Sequence, residues 1–447
     1  MPSNDDLDQW LDQQVTPLPP PDGTFDLIKR RARNRKLRKL TVTLTAAAAV
    51  VAAAVLIPRV TFLQVSGPSD RGLAAGSTSH PSEGVSGQPD GTGTRAASPS
   101  PSPVSGGTAL PPVPADFAPS SVTYIGVNTE WVIGQAGTPG DCATQYCTSI
   151  ARTNDGGQTW YGVPAPLAGA PSGSTGVSEV RFLDDENGWA FGPQLWATHD
   201  GGKTWTQIDT NGQRVIDLET AGTSAFAILG TCTGSGSNYA SDCTSYTLER
   251  TQATSDDWTD VGSATTNMTV SSQSAALAAG AVQLALTGSK GFLLGPGGTV
   301  WSGPLTGAWQ QAGNTPCAPT TQLFGAENST TLFIACPSQN EVYESTNSGT
   351  NWHVAASYPA ATATVNSIAV SPAGAIVLAT TDGILVYNGT SWQQSTFSGS
   401  APSGGFSYVG MTTDSQGVAL PADTSLHEIW MTFDGGATWR AYPVASS

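Results

Sequence analysis

The sequence predicts an all-β fold, a seven-bladed β-propeller of four-stranded blades, preceded by one transmembrane helix and a disordered linker. Three observations carry this prediction: an octapeptide turn that recurs along the chain, a second repeat of short apolar segments at a matching interval, and an N-terminal quarter of different composition. Repeats of roughly 40 to 50 residues are typical of propellers whose blades contain four short strands.

The octapeptide turn occurs three times almost unchanged, at residues 153–160, 198–205 and 432–439, and once in a weaker form at 345–352. An Asp at its third position can accept hydrogen bonds from downstream backbone amides, the glycines supply positive φ, and the closing Trp carries a large apolar surface. We therefore expect a tight turn between two strands. Structural roles are predicted for Asp155, Trp160, Asp200, Trp205, Asn347, Trp352, Asp434 and Trp439.

This octapeptide resembles the Asp box, or bacterial neuraminidase repeat, of sialidase-like and photosystem II assembly factor-like propellers. Residues 182–189 also resemble the photosystem assembly propeller, in the hairpin between the first and second strands of a blade. The resemblance implies a β-propeller in which each box links the third strand to the fourth on the rim of a blade. It also implies that the boxes lie far from any active site.

The number of blades can be predicted from the tryptophans that close these turns. Weaker turns end at Trp258, Trp309 and Trp392, and the seven Trp residues are separated by 45, 53, 51, 43, 40 and 47 residues. Upstream of each lies a short apolar segment that predicts a buried strand. These segments are 131–134, 189–192, 226–230, 292–295, 332–335, 376–379 and 418–420. Both repeats predict seven blades within residues 118–445, with six or eight blades as the alternatives because three turns are degenerate.

Six cysteines, all after residue 140, fall into close pairs along the sequence. Sequence alone allows 15 connectivities. The blade spacing favours three local disulfides, because two pairs lie in insertions and the third flanks a predicted hairpin. These disulfides would require an oxidising compartment. The predicted pairs are Cys142 with Cys147, Cys232 with Cys243, and Cys317 with Cys336.

The first two cysteine pairs lie in long insertions, residues 135–148 and 230–247, between the second and third strands of their blades. If the octapeptide turns link the third strands to the fourth, these loops emerge on the opposite face, where related propellers usually bind partners. Loops that a scaffold holds rigid are preferred binding elements. The candidate binding residues are Gln145, Tyr146, Asn238 and Tyr239. The alternative is that both loops are tolerated surface insertions.

The N-terminal segments predict that the propeller lies outside the cytoplasm. Residues 1–39 form a predicted cytoplasmic tail, residues 40–58 a transmembrane helix, residues 59–117 a disordered linker rich in Ser, Gly and Pro, and residues 118–445 the propeller. The uncharged segment 40–58 is just long enough to span a bilayer, and the basic run 29–39 before it keeps the N-terminus inside. A cleaved signal peptide is the alternative, although its n-region would be unusually long.

Charge and residue types exclude several functions. Residues 1–39 hold 8 of 18 basic and 6 of 34 acidic side chains, so the rest of the chain has 10 basic against 28 acidic, a net charge of −18. Nucleic-acid binding is therefore not expected, because phosphates require Lys and Arg. The four histidines are scattered and no Cys-x-x-Cys motif is present, so we expect neither a metal nor a cofactor.

A sialidase activity would require three arginines that clamp a carboxylate, a Tyr nucleophile paired with Glu, and an acidic proton donor. The propeller holds only five arginines, of which Arg181 and Arg214 can face the channel, whereas Arg152, Arg250 and Arg440 lie at the rim. We therefore predict a membrane-anchored, extracytoplasmic and non-catalytic module that binds a protein or a cell-envelope glycan.

Two alternatives to this function stay open. One is a transmembrane sensor whose tail, residues 1–28, engages a soluble cytoplasmic regulator, because segment 5–11 is acidic and amphipathic. The other is a sialidase-like hydrolase that processes glycans, which requires a central cluster of arginine and carboxylates.

Overall fold

The structure is a computed structural model that describes residues 110–136, 147–261, 268–269, 282–317, 323–359 and 364–444. All of these lie within one unit of the chain, Leu63–Ser447. The described residues form seven sheets in succession along the chain. None of the helices among them has the length and apolar character needed to span a bilayer. The predicted tail, transmembrane helix 40–58 and most of the linker lie outside the described residues.

Blades 1 to 3 occupy residues 117–269. Blade 1 contains β1 (Phe117–Tyr124), β2 (Glu130–Ala136), β3 (Thr148–Thr153) and β4 (Tyr161–Val163). Blade 2 contains β5 (Glu179–Phe182), β6 (Gly188–Phe191), β7 (Leu195–Thr198) and β8 (Thr206–Ile208). Blade 3 contains β9 (Arg214–Ala221), β10 (Ser224–Cys232), β11 (Cys243–Gln252), β12 (Thr259–Asp260) and the short β13 (Met268–Thr269), which also pairs with β11.

Blades 4 to 7 complete the series. Blade 4 contains β14 (Gln283–Leu286), β15 (Lys290–Leu294), β16 (Thr299–Pro304) and β17 (Gln310–Asn314). Blade 5 contains β18 (Leu323–Ala326), β19 (Leu332–Cys336), β20 (Glu341–Ser345) and β21 (His353–Ser357). Blade 6 contains β22 (Val365–Val370), β23 (Ile376–Thr380), β24 (Gly383–Tyr387) and β25 (Trp392–Gln394). Blade 7 contains β27 (Phe406–Met411), β28 (Gly417–Pro421), β29 (Glu428–Thr432) and β30 (Thr438–Pro443), with β26 (Thr396–Phe397) parallel to β30 on its outer edge. Two single-turn 3₁₀ helices, Pro296–Gly298 and Thr424–Leu426, lie in loops.

Neighbouring strands of each blade are antiparallel and pair in chain order, apart from β13 and β26. The first strands of consecutive blades contact one another from blade 1 to blade 7, and β1 contacts β28 and β29 of blade 7, so the blades surround a central channel. Blade 7 meets blade 1 through a hydrogen bond from Gln416 Nε2 to the Val127 carbonyl, 2.9 Å, and through the contact of His427 Nδ1 with the Phe117 carbonyl, also 2.9 Å. The ring therefore closes after seven blades, which confirms the predicted number and makes six and eight wrong.

The apolar core lies between the blades and is built mainly from their second strands. Each of the seven apolar segments predicted as a buried strand coincides with the second strand of its blade, and segments 189–192 and 292–295 extend one residue beyond it. Phe191, Phe226 and Ile334, for example, are completely buried. Burying one such side chain contributes about 1.5 to 3 kcal/mol relative to leaving it exposed. The repeat of buried strands therefore supplies a separate core for each pair of blades.

The octapeptides form the turns between the third and fourth strands of blades 1, 2, 5 and 7. In blade 1 the Asp155 carboxylate accepts hydrogen bonds from the Thr159 amide, 2.9 Å, and from Thr159 Oγ1, 2.6 Å. Gly157 donates its amide to Thr153 Oγ1 at 3.1 Å and has a φ of +84°. Asp200 and Asp434 repeat these hydrogen bonds. In each of these three turns the aspartate carboxylate is therefore hydrogen-bonded within its own turn.

Candidate functional site

The two ends of the channel differ, because the octapeptide turns lie at one end and the candidate site lies at the other. Glu179 begins β5 and pairs with Phe191, beside the turn that leads into β7, whereas Phe182 ends β5 beside the turn that contacts the octapeptide of the same blade. We call the end marked by Glu179 the channel mouth. The loops between second and third strands lie at this end, and the octapeptide turns lie at the other.

Arg181 is the centre of a charged cluster at the channel mouth. Its Nε donates a hydrogen bond to Glu219 Oε1 on β9 at 2.9 Å, and its Nη1 donates to Ser121 Oγ on β1 at 3.2 Å. Its Nη2 lies 3.9 Å from Glu179 Oε2, which is too long for a hydrogen bond. Three blades thus contribute to one cluster, in which Glu219 is the direct partner of the guanidinium.

Asp217 adds a third carboxylate beside Glu179 and Glu219. Its Oδ2 accepts a hydrogen bond of 2.7 Å from the Leu284 amide, which connects blade 3 to blade 4. Burial, followed by repulsion from Glu219 and Glu179, raises the pKa of Asp217 to about 8. Burial also raises the pKa of Glu179, although the Arg181 charge opposes the shift. Negative charge therefore exceeds positive charge at the mouth, and a proton on Asp217 relieves part of the excess at neutral pH.

The disulfide-closed hairpin of blade 3 folds over this cluster. Cys232 and Cys243 are bonded to each other, and residues 233–242 between them form the loop. Tyr239 Oη on this loop lies beside Ser178 Oγ, since both approach Gly192. A Cβ on Gly192 would lie only 2.6 Å from Tyr239 Oη, so the loop packs directly on a glycine of blade 2. Burial and the nearby Glu179 carboxylate raise the pKa of the Tyr239 phenol.

Arg214 holds this hairpin loop in place. It is 9% exposed, and its Nη1 donates hydrogen bonds of 2.7 Å to the carbonyls of both Gly234 and Tyr239. A backbone hydrogen bond of 2.9 Å from Gly173 to Gly236 ties the loop to the connection between blades 1 and 2. The loop is therefore fixed by a disulfide, an arginine and a backbone contact.

A cavity of about 230 Å³ lies at the channel mouth next to Arg181. Its polar lining comes from three strands or their approaches and includes Ser120, Ser121, Ser178, Glu179, Arg181 and Tyr408. Val122 and Leu420 supply an apolar wall. Hydroxyls, a carboxylate and a guanidinium that face one cavity are suited to orienting a polar ligand.

The structure places two of the four predicted binding residues. Asn238 is exposed on the hairpin loop, and Tyr239 is partly buried at the channel mouth. Gln145 and Tyr146 lie outside the described residues. The insertion 230–247 is shorter as a loop than its sequence suggests, because β10 extends to Cys232 and β11 begins at Cys243.

Two of the predicted disulfides are present, Cys232–Cys243 and Cys317–Cys336. The third prediction involves Cys142, which lies outside the described residues, and Cys147, which is disulfide-bonded. That pairing stays a prediction.

The five arginines of the propeller do not assemble a three-arginine clamp. Arg181 lies in the charged cluster of the channel, whereas the Arg214 guanidinium is used by the carbonyls of the hairpin loop. Arg152 pairs with Asp185 at 2.6 Å, and Arg250 donates to the Leu305 carbonyl. One arginine, Arg181, instead lies among three carboxylates, those of Glu179, Asp217 and Glu219.

Sequence reasoning missed Glu179, Asp217, Glu219 and Tyr408. Each lies on the first strand of a blade, in segments that the Trp spacing locates only approximately. Asp217 and Glu219 are two residues apart, and residues at that spacing on a strand share one face of the sheet. This spacing was the sequence signal that could have indicated a carboxylate cluster. Among the described residues no group of three or more His, Cys, Asp or Glu side chains is arranged to hold a metal ion.

The strand order and this site define a seven-bladed β-propeller with a charged cavity at one end of its channel. No protein-family model and no curated protein matches the sequence significantly. The chain is similar to the solved structure of YCF48 bound to D1 peptide, with 18% identity, 73% of this chain and 99% of that chain covered, and a TM-score of 0.46.

Two further solved structures are similar at lower identity. Virginiamycin B lyase from Staphylococcus aureus has 11% identity over 73% of this chain and 95% of that chain, with a TM-score of 0.46. A chain of a mitotic checkpoint complex has 10% identity over 73% of this chain and 94% of that chain, with a TM-score of 0.47. The likeness concerns the fold alone.

Proposed function

We propose that this protein is an Asp-box propeller, anchored to the cell membrane by residues 40–58, that acts outside the cytoplasm as a non-catalytic binding module. Its ligand is a protein or a glycan of the cell envelope, and it binds at the channel mouth. The transmembrane segment and the linker 59–117 would hold the propeller away from the membrane surface. The net charge of −18 over residues 40–447 keeps nucleic acid from being the ligand.

One observation carries this proposal: the fixed hairpin loop and the charged cluster share one surface. Tyr239 of the loop packs beside Ser178 and Gly192, and Ser178 lines the same cavity as Glu179 and Arg181. A tolerated insertion would project into solvent without such contacts. A loop held by Arg214 and a disulfide over a cavity loses little conformational entropy when a ligand binds.

The test compares two matched disulfide variants of the full-length protein on arrays of envelope glycans, peptidoglycan fragments and peptides. The double substitution Cys232→Ser and Cys243→Ser frees the hairpin loop, and we expect it to weaken binding at least tenfold. The control, Cys317→Ser with Cys336→Ser, removes a disulfide from blade 5 and should leave binding within about twofold.

A second experiment addresses the location. Proximity labelling on intact cells should mark envelope components when the labelling enzyme is fused after residue 447. If neither the arrays nor the labelling identifies a ligand, or if the two disulfide variants bind alike, the proposal fails.

A glycan-processing hydrolase is the second candidate, because Tyr408, Glu179 and Arg181 line one cavity. It predicts release of a fluorophore from aryl glycosides, including sialosides, by the full-length protein. The same release should be lost in the Tyr408→Phe and Glu179→Gln variants. An intact substrate after prolonged incubation would remove this candidate. The sensor alternative requires a specific cytoplasmic partner in a pull-down with residues 1–28.

A further inference from the structure

We infer that the cavity at the channel mouth binds the ammonium group of a lysine side chain presented by a peptide segment. This inference rests on the proposed binding function and names the ligand chemistry of its site. It follows from the charge of the cluster, from the groups that lack partners, and from the shape of the cavity wall.

Charge favours a cation at this position. Arg181 donates to Glu219 through Nε and to Ser121 and the Val180 carbonyl through Nη1. Glu179 lies 3.9 Å from Arg181 Nη2, so Glu179, Asp217 and Glu219 share this one cation. An anionic ligand would meet three carboxylates and only one arginine, so repulsion would oppose its binding.

Two acceptors at the cavity lack partners within the part of the chain that the structure describes. The Glu179 carboxylate receives no hydrogen bond, since its nearest donor, Arg181 Nη2, is 3.9 Å away, and 31% of its side chain is exposed. Tyr408 also lines the cavity, and its hydroxyl forms no hydrogen bond within the described residues. A lysine ammonium has three donors and no acceptor, so it complements both oxygens at once.

The cavity wall fits an aliphatic stem that ends in a charge. Val122 and Leu420 form its apolar side, and Glu179 with the serine hydroxyls forms its polar side. Lysine buries its methylene chain along apolar surface while its ammonium group reaches polar partners. A guanidinium would place its flat face near Arg181, and a neutral sugar ring would leave the excess negative charge uncompensated.

Binding of an ammonium group should also release protons. Asp217 faces Glu219 on its own strand and lies near Glu179, Arg181 and Tyr239 on neighbouring elements, as well as Tyr408 across the channel. A cation in the cavity lowers the pKa of Asp217 from about 8, so part of a proton leaves at pH 7. Affinity should consequently rise between pH 6 and 8.

The experiment titrates the full-length protein in mild detergent with an end-blocked pentapeptide that carries one central lysine. Calorimetry in two buffers of different ionisation enthalpy gives both the Kd and the number of protons released. We expect the peptide with acetylated lysine to bind at least tenfold more weakly. Glu179→Gln should raise the Kd at least tenfold, and Tyr408→Phe should raise it several-fold.

Two variants sharpen this test. Glu186→Gln makes the same change at an exposed position on the opposite end of blade 2, and it should leave the Kd within about twofold. Asp217→Asn should abolish the proton release while the peptide still binds. Equal binding of the acetylated peptide, no binding of either peptide, or an unchanged Kd in Glu179→Gln would overturn the lysine site. In that case binding on the arrays that still depends on Cys232–Cys243 would leave the proposed function standing.

Discussion

Asp155 at the octapeptide end of the propeller and Asp217 at the channel mouth have pKa values that are shifted in opposite directions. Burial alone would raise the pKa of Asp155, but hydrogen bonds from Thr159 and Thr153 outweigh it and lower the value. At Asp217, burial and neighbouring carboxylates raise the pKa to about 8. The repeated end thus stabilises its charges locally, whereas the mouth brings charges of different blades together without enough partners.

This difference separates structural charges from charges that are available to a ligand. An aspartate that is satisfied within its own turn gains nothing from another partner. A carboxylate such as Glu179, which lacks a hydrogen bond in the described residues, can gain from a ligand that supplies one. The most repeated motif of the chain is therefore the part least suited to binding.

The largest effect is expected from a tryptophan at the octapeptide end. Trp439 is 1% exposed and packs in the core between blades 6 and 7. Trp439→Ala should lower the free energy of unfolding by about 3 to 5 kcal/mol, because it leaves a cavity in a packed core. Urea denaturation measures this change. Trp160→Ala is the matched control, since Trp160 is partly exposed and should cost clearly less.

Glu130 is an exception to the difference between the two ends of the propeller. It pairs with Thr153 next to an octapeptide, yet its carboxyl group is not hydrogen-bonded within the turn. It is 0% exposed and neither carboxylate oxygen has a hydrogen-bond partner. Burial raises its pKa well above the ordinary value, which the adjacent Tyr124 hydroxyl only partly offsets. The octapeptide end therefore also contains a buried carboxyl group whose protonated form is favoured by burial.

Because the folded pKa of Glu130 is raised, its contribution to stability is complete below the unfolded pKa and is lost as pH rises towards the folded one. The free energy of unfolding should fall by up to about 1.4 kcal/mol per pH unit in that range. Glu130→Gln should remove this slope and be more stable than the wild type at pH 8. Denaturation series from pH 5 to 9 test this, and parallel curves for the two proteins would contradict it.

A smaller effect is expected for the octapeptide aspartate itself. Asp155→Ala removes the acceptor for the amide and hydroxyl of Thr159 and should cost about 1 to 2 kcal/mol at pH 7. The lowered pKa means that this stabilisation is present above the unfolded pKa and is lost as pH falls through the folded one. Asp155→Asn should keep the fold and lose the acid dependence, as Asn347 does naturally in blade 5 by accepting from the Asn351 amide.

The smallest change in global stability is expected from Arg214, although its local effect is large. Arg214→Ala should increase amide hydrogen exchange in residues 233–242 at least tenfold, because both carbonyl contacts of the loop are lost. Arg250→Ala also removes an arginine that donates to a carbonyl, that of Leu305, and should leave exchange in the loop unchanged. If the loop exchanges equally in both variants, Arg214 does not hold it.

Several features of the fold were predictable because they repeat at short range. The Trp spacing and the apolar second strands depend on local turns and on burial, so each copy supports the others. The pairs Cys232–Cys243 and Cys317–Cys336 are close in sequence and bracket hairpins, so they too could be assigned. The role of Arg214 could not be predicted from the sequence, because its partners lie on a loop whose path is set by contacts with blade 2.

By itself the sequence determined the all-β class, the number of blades, the position of the octapeptide turns and two of the disulfides. Each of these depends on interactions between residues of the same blade. Only the tertiary structure decided the site, because Ser121, Glu179, Arg181, Glu219 and Tyr408 come from four blades and meet only when the ring is closed. Their excess of negative charge arises only when the ring closes, so no local sequence pattern predicts it.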